Sequence, residues 1–176
     1  MLIMKKILGL IMILFLTACA SSGSSKSEFS ANDIMFAEMM IPHHEQAISM
    51  SETALKKSRN QEILKLSRQI KSLQSSETSQ LSYWLKATNS SMTMDHDMKM
   101  SGMLTVKELS SLKRLTGTQF DRTFLQLMIK HHQGALEILD LISDSKNAEA
   151  KALAKAINSA QSKEITSMKL LLKKLK

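Results

Sequence analysis

Apolar residues recur at threes and fours along most of this chain, and no run alternates with a period of two, so the pattern predicts helices and no strands. Ser30 and Asp33 have the spacing of a capping box, and Phe29 with Ile34 that of a hydrophobic staple, which predicts a helix over residues 30–58. At about 100° per residue, Phe36, Met39, Met40, Ile41, Ala47, Ile48, Met50, Ala54 and Leu55 cover one broad arc of it. Asn60 caps a second helix, whose apolar residues Ile63, Leu64, Leu66, Ile70, Leu73, Leu81, Trp84 and Leu85 carry it to about Ala87. Over residues 88–104 the period lapses. Thr105 with Glu108 then predicts a short capped helix to about Leu115, which Gly117 stops. Thr118 opens a third long helix through Ile142, residues 143–145 turn, and a fourth runs from about Lys146 to the end.

The two halves repeat each other. Phe36-Ala37-Glu38-Met39-Met40-Ile41-Pro42-His43-His44 aligns without gaps on Phe124-Leu125-Gln126-Leu127-Met128-Ile129-Lys130-His131-His132, and Ala47 then falls on Ala135. After a one-residue slip in the turn, Gln74, Glu77 and Leu81 fall on Gln161, Glu164 and Met168. A duplicated helical hairpin, residues 30–87 and 118–175, joined by a long connection at residues 88–104, predicts an all-α, up-down four-helix bundle with a pseudo-twofold axis. Helices one and three then carry equivalent residues at equal height.

The N-terminus sets the expected compartment. Lys5 and Lys6 precede an apolar run at residues 7–16 that is too short to span a bilayer and closes with Leu16-Thr17-Ala18-Cys19, so residues 1–18 read as a signal peptide. Leu-Thr-Ala-Cys resembles a bacterial lipobox, which makes Cys19 the lipidated first residue of an exported, membrane-anchored protein on a periplasmic or cell-surface face. Residues 19–28, rich in serine and without an apolar period, form a tether to one domain at residues 29–176. Cys19 is the sole cysteine, so neither an internal disulfide nor a thiolate metal site is available. The net charge of +8 falls by two when Lys5 and Lys6 leave, and the remaining basic residues are scattered rather than gathered into a stripe, which argues against nucleic acid as a partner.

The chemistry lies in the histidines. All five fall in three places: His43 with His44, His131 with His132, and His96 in the connection. Met40 sits three and four residues before the first doublet and Met128 before the second, the spacings at which side chains on one helix meet. Each odd-numbered long helix thus offers one thioether and two imidazoles toward the core. A ferritin-like di-iron site needs Glu-x-x-His there, and thioether in place of carboxylate favours a soft ion, copper(I) or silver(I), over calcium, magnesium or manganese. Glu38, Glu45, Glu77 and Glu164 keep a carboxylate-assisted site open. The connection adds Met92, Met94, His96, Met98, Met100 and Met103, whose Met-x-Met spacing lets a polar segment wrap sulfur around one ion as a secondary site. Pro42 removes an N–H inside the first helix and predicts a kink beside His43.

The segment Met40-Ile41-Pro42-His43-His44-Glu45-Gln46-Ala47, the second Met-x-x-His-His at Met128–His132 and the downstream Gln-x-x-Glu pairs resemble the bacterial family known as domain of unknown function 305, from about Phe29 to the C-terminus. The resemblance implies a ferritin-like fold, and a relation to periplasmic copper-binding proteins or metallochaperones. It makes Met40, His43, His44, Met128, His131 and His132 the inferred ligands. Lys130 and Gly134 depart from Pro42 and Gln46 of the first half. The expected function is binding of copper(I), or silver(I), for buffering, resistance or delivery to a copper exporter or another copper protein, without catalysis. The alternatives are a metal-dependent oxidase using Glu77 and Glu164, and a metal-free helical interaction module.

Overall fold

A computed structural model describes residues 28–90 and 100–175. Cys19 with its leader, and Met92, Met94, His96 and Met98, lie outside the described residues. Among the described residues there are five α-helices and no strand: α1 Ala31–Lys57, α2 Gln61–Ala87, α3 Val106–Arg114, α4 Gly117–Ile138 and α5 Ala148–Lys174. None is long and apolar enough to cross a membrane. The helix starts follow the caps in the sequence. Ser30 Oγ accepts from the Asp33 N–H at 3.2 Å while Asp33 accepts from the Ser30 N–H at 2.8 Å, and Thr105 and Glu108 exchange the same pair of bonds. Asn60 and Asn147 each accept two N–H groups of the turn that follows.

Three details differ from the expected elements. The third long helix is α-helical only from Gly117 to Ile138, and Leu139–Ile142 tightens into a 3-10 turn, a common ending where the chain must reverse at once. The last helix begins at Ala148 because Asn147 caps it. Leu73 is 39% exposed rather than in the core, since the inward stripe of α2 is Ile70, Gln74, Glu77, Leu81 and Trp84. Pro42 sits within α1 without ending it, and Gly117 is the first residue of α4 at φ +57 rather than only a stop.

The hairpins α1–α2 and α4–α5 pack on each other chiefly through α1 and α4. The apolar core is split in two. One cluster takes Phe36, Met40 and Ile41 from α1, Leu81 and Trp84 from α2, Ala135 and Ile138 from α4, and Leu153 and Ile157 from α5. The other takes Met50 and Ala54, Ile63 and Ile70, Phe124 and Met128, and Ile165 and Met168 from the same helices in the same order. On every long helix a buried or nearly buried polar pair falls between the two contributions: His43 and His44, Gln74 and Glu77, His131 and His132, Gln161 and Glu164. The pseudo-twofold relation expected from the repeat exchanges the two clusters, and this polar layer lies at its centre.

Candidate metal centre

All four layer histidines are fully buried, and so are Met40 and Met128, one helical turn before each doublet. The helices bring the doublets together. The His43 and His131 rings lie 3.8 Å apart between centroids, and His131 and His132 lie 6.2 Å apart. Met40 belongs to the apolar cluster on one side of the layer and Met128 to the cluster on the other, so the two thioethers flank the imidazoles.

Carboxylates reach the outer member of each doublet. Glu164 Oε2 stands 2.8 Å from His132 Nε2 in hydrogen-bond geometry. Glu77 Oε2 approaches His44 Nε2 to 2.9 Å, but off the direction a hydrogen bond needs. Glu38 is half-buried and Glu45 exposed, and among the described residues neither pairs with a histidine as Glu77 and Glu164 do. Glu164 also lines a groove of about 700 Å³ between α2 and α5, beside Leu66, Leu73 and Lys163. It therefore joins the layer to the surface, whereas Glu77 is 5% exposed.

Six of the eight ring nitrogens have no hydrogen-bond partner among the described residues: Nδ1 of all four, with Nε2 of His44 and His131. Both amide atoms of Gln74 and of Gln161 are likewise without one. Each unpaired buried polar group costs about 1–3 kcal/mol, so a concentration of them at one level is a standing cost that a bound ligand offsets. No three histidine, cysteine, aspartate or glutamate side chains among the described residues are grouped as a metal centre. Closing a shell around an ion takes thioether sulfur or a movement of the rings.

Burial disfavours the charged form of His43 and His131. It is the largest influence on His43, helped by the charges His44 and His132 would carry and opposed by the bond to Ser101, and it brings His43 down to about 4. Burial, followed by the neighbouring His43, His132 and His44, holds His131 well below the ordinary imidazole range. The unfolded chain takes up a proton near pH 6.5, while the folded chain refuses it until about pH 4. Stability from His43 is therefore complete above pH 6.5 and is lost as the pH falls to about 4, on the order of 3 kcal/mol in all. Chemical denaturation of the metal-free protein at a series of pH values checks this. A midpoint that does not fall between pH 6.5 and 4 contradicts the burial.

The end of the connection also touches this layer, which the sequence did not foretell. His43 Nε2 lies 3.1 Å from the Ser101 carbonyl, and Gln46 bonds Leu104 twice, donating to its carbonyl at 3.0 Å and accepting its N–H at 2.8 Å. Gly102, at φ +76, packs so closely on α4 that a Cβ there would stand 2.7 Å from the His131 carbonyl. Ser101 Oγ also donates to Glu137, and Lys130 pairs with Glu108 of α3 at 2.8 Å. The available signal was the broken repeat: Gln46 against Gly134, and Pro42 against Lys130. Met100 and Met103, joined by a 3.3 Å turn bond, bracket Ser101 and Gly102 in the chain.

No curated protein matches the chain. Solved structures do. A putative secreted protein from Streptomyces coelicolor is 28% identical with a TM-score of 0.76, over 81% of this chain and 93% of that one. A fragment from Deinococcus radiodurans is 28% identical with a TM-score of 0.77, over 84% of this chain and 99% of its own. CopM in its Cu(I)-bound form is 32% identical with a TM-score of 0.69, over 81% of this chain and 96% of CopM, and it has also been solved in Cu(II)- and Ag-bound forms. The family described as Domain of unknown function (DUF305) matches residues 33–172, which span both Met-x-x-His-His segments and both Gln-x-x-Glu pairs, and the chain belongs to that family.

Proposed function

We propose that this protein binds copper(I), and by the same donor chemistry silver(I), in the layer formed by Met40, His43, His44, Met128, His131 and His132. The carrying observation is the set of six unpartnered nitrogens on four fully buried imidazoles, flanked by two buried methionines. Thioether sulfur with neutral imidazole is a soft donor set, and a neutral ring has no proton to lose before it coordinates. The copper- and silver-bound forms of CopM support the same reading. Glu164 orients the His132 ring as carboxylates commonly do for metal-bound histidine, and Glu77 stands near His44 at the equivalent place, which accounts for them without a catalytic role.

The rest of the reading is a ferritin-like four-helix bundle, exported by residues 1–18 and held to a membrane through lipid on Cys19. There it buffers the ion or passes it to an exporter or another copper protein, with Met92, Met94, His96, Met98, Met100 and Met103 as a lower-affinity collecting segment. Competition titration of the mature protein with copper(I) and a chromogenic chelator tests the central claim. His43→Ala with His131→Ala is expected to abolish the tight site. Serine at Met92, Met94, Met98 and His96 is expected to lower the number of weakly held ions only. Equal binding by the double histidine variant and the wild type would remove the layer from the function. Oxygen consumption on adding copper(I) would favour an oxidase over a carrier.

A further inference from the structure

We infer that the strap at residues 101–104 is a positioning element for His43: it fixes which ring nitrogen that histidine can offer and so makes the two repeated histidine doublets chemically unequal. A carbonyl oxygen only accepts, so the 3.1 Å contact between His43 Nε2 and the Ser101 carbonyl requires the proton on Nε2. Nδ1, buried and without a partner among the described residues, is then the nitrogen with a free lone pair. Among the described residues the repeat-equivalent His131 ring makes no hydrogen bond in good geometry at either nitrogen, and it meets the backbone of His43 rather than the strap.

Three features that break the repeat hold the strap. Gln46 grips Leu104 through both atoms of its amide. Its counterpart is Gly134, and a Cβ at Gly134 would overlap the Ser101 carbonyl and the Gly102 Cα. Glutamine at one position and glycine at the other are thus two parts of one fastening, a hand on α1 and a seat on α4. Lys130, where the first half has Pro42, ties down the following α3 through Glu108. Gly102 itself takes φ +76 and faces the His131 carbonyl at 2.7 Å from its would-be Cβ, so only glycine fits that turn.

This inference deepens the proposed metal site, but its first test needs no metal. Long-range proton–nitrogen correlation spectra of the ¹⁵N-labelled, metal-free protein report the tautomer of each ring. Wild-type His43 is expected as the Nε2–H form. Gly134→Ala, which unseats the strap, and the milder Gln46→Ala, which leaves α4 untouched, are expected to shift His43 toward a mixture of tautomers. A wild-type His43 protonated at Nδ1 overturns the inference, as does an unchanged Nε2–H form in a folded Gln46→Ala variant whose 101–104 amide signals have moved. With copper(I), the variants are expected to bind about tenfold more weakly, the usual scale when a ligand loses its orienting partner. If the tautomers respond as expected and the wild type binds no copper(I), the metal reading fails and the positioning role stands.

Discussion

Replacing Met40 and Met128 together by leucine is expected to weaken copper(I) binding by at least about a hundredfold while leaving the fold intact. Both side chains are fully buried, and leucine keeps nearly the same volume, so the packing cost is under about 1.5 kcal/mol per site. What disappears is sulfur. The imidazoles remain, and zinc, which gains little from thioether, is expected to lose far less affinity than copper(I). Paired titrations with the two ions therefore read the donor chemistry apart from the structure. Equal losses for both would point to disturbed packing, and no loss for either would place the site elsewhere.

The second large effect concerns the apolar halves of the core. Trp84 is fully buried, packs against Phe29 with centroids 4.7 Å apart and the rings tilted by 33°, and lies in one cluster; Phe124 is fully buried in the other. Truncating either to alanine is expected to cost about 3–5 kcal/mol, the range for large aromatic core residues. Domains of this size hold about 5–15 kcal/mol in total, so each single variant should melt roughly 10 °C or more below the wild type. The two residues lie in separate core clusters, so their costs should add, and the double variant is expected to be unfolded at 37 °C. Calorimetry of the three variants checks this. A loss under about 1 kcal/mol from Trp84→Ala would contradict the packing of that cluster.

Local signals were the legible ones. Ser30, Asn60 and Thr105 act within three residues, so each cap could be read directly and each is present. The histidine doublets were legible because the repeat put two copies at one height, and the helices do bring His43 and His131 ring to ring. Leu73 failed for a different reason. Apolar period alone cannot tell which of two adjacent stripes faces inward, and here Gln74 and Glu77 take the inner one. The approach of Ser101 was not legible, because a backbone carbonyl has no side-chain signature and the contact joins residues 58 apart. Gln46, Gly134 and Lys130 were visible only as lapses in the repeat, whose meaning depends on the segment they hold.

The divided core has a consequence for how such a molecule could be built. Each apolar cluster draws on all four long helices, so neither hairpin can bury its inward face alone. A chain of half this length would satisfy that face only against a second copy of itself. In such a homodimer His43 would meet its own twin across a true twofold axis, with identical donors on both sides. Fusing the copies frees each to change separately, and a glutamine at 46 where the other copy has a glycine at 134 is a difference that no symmetric dimer could carry.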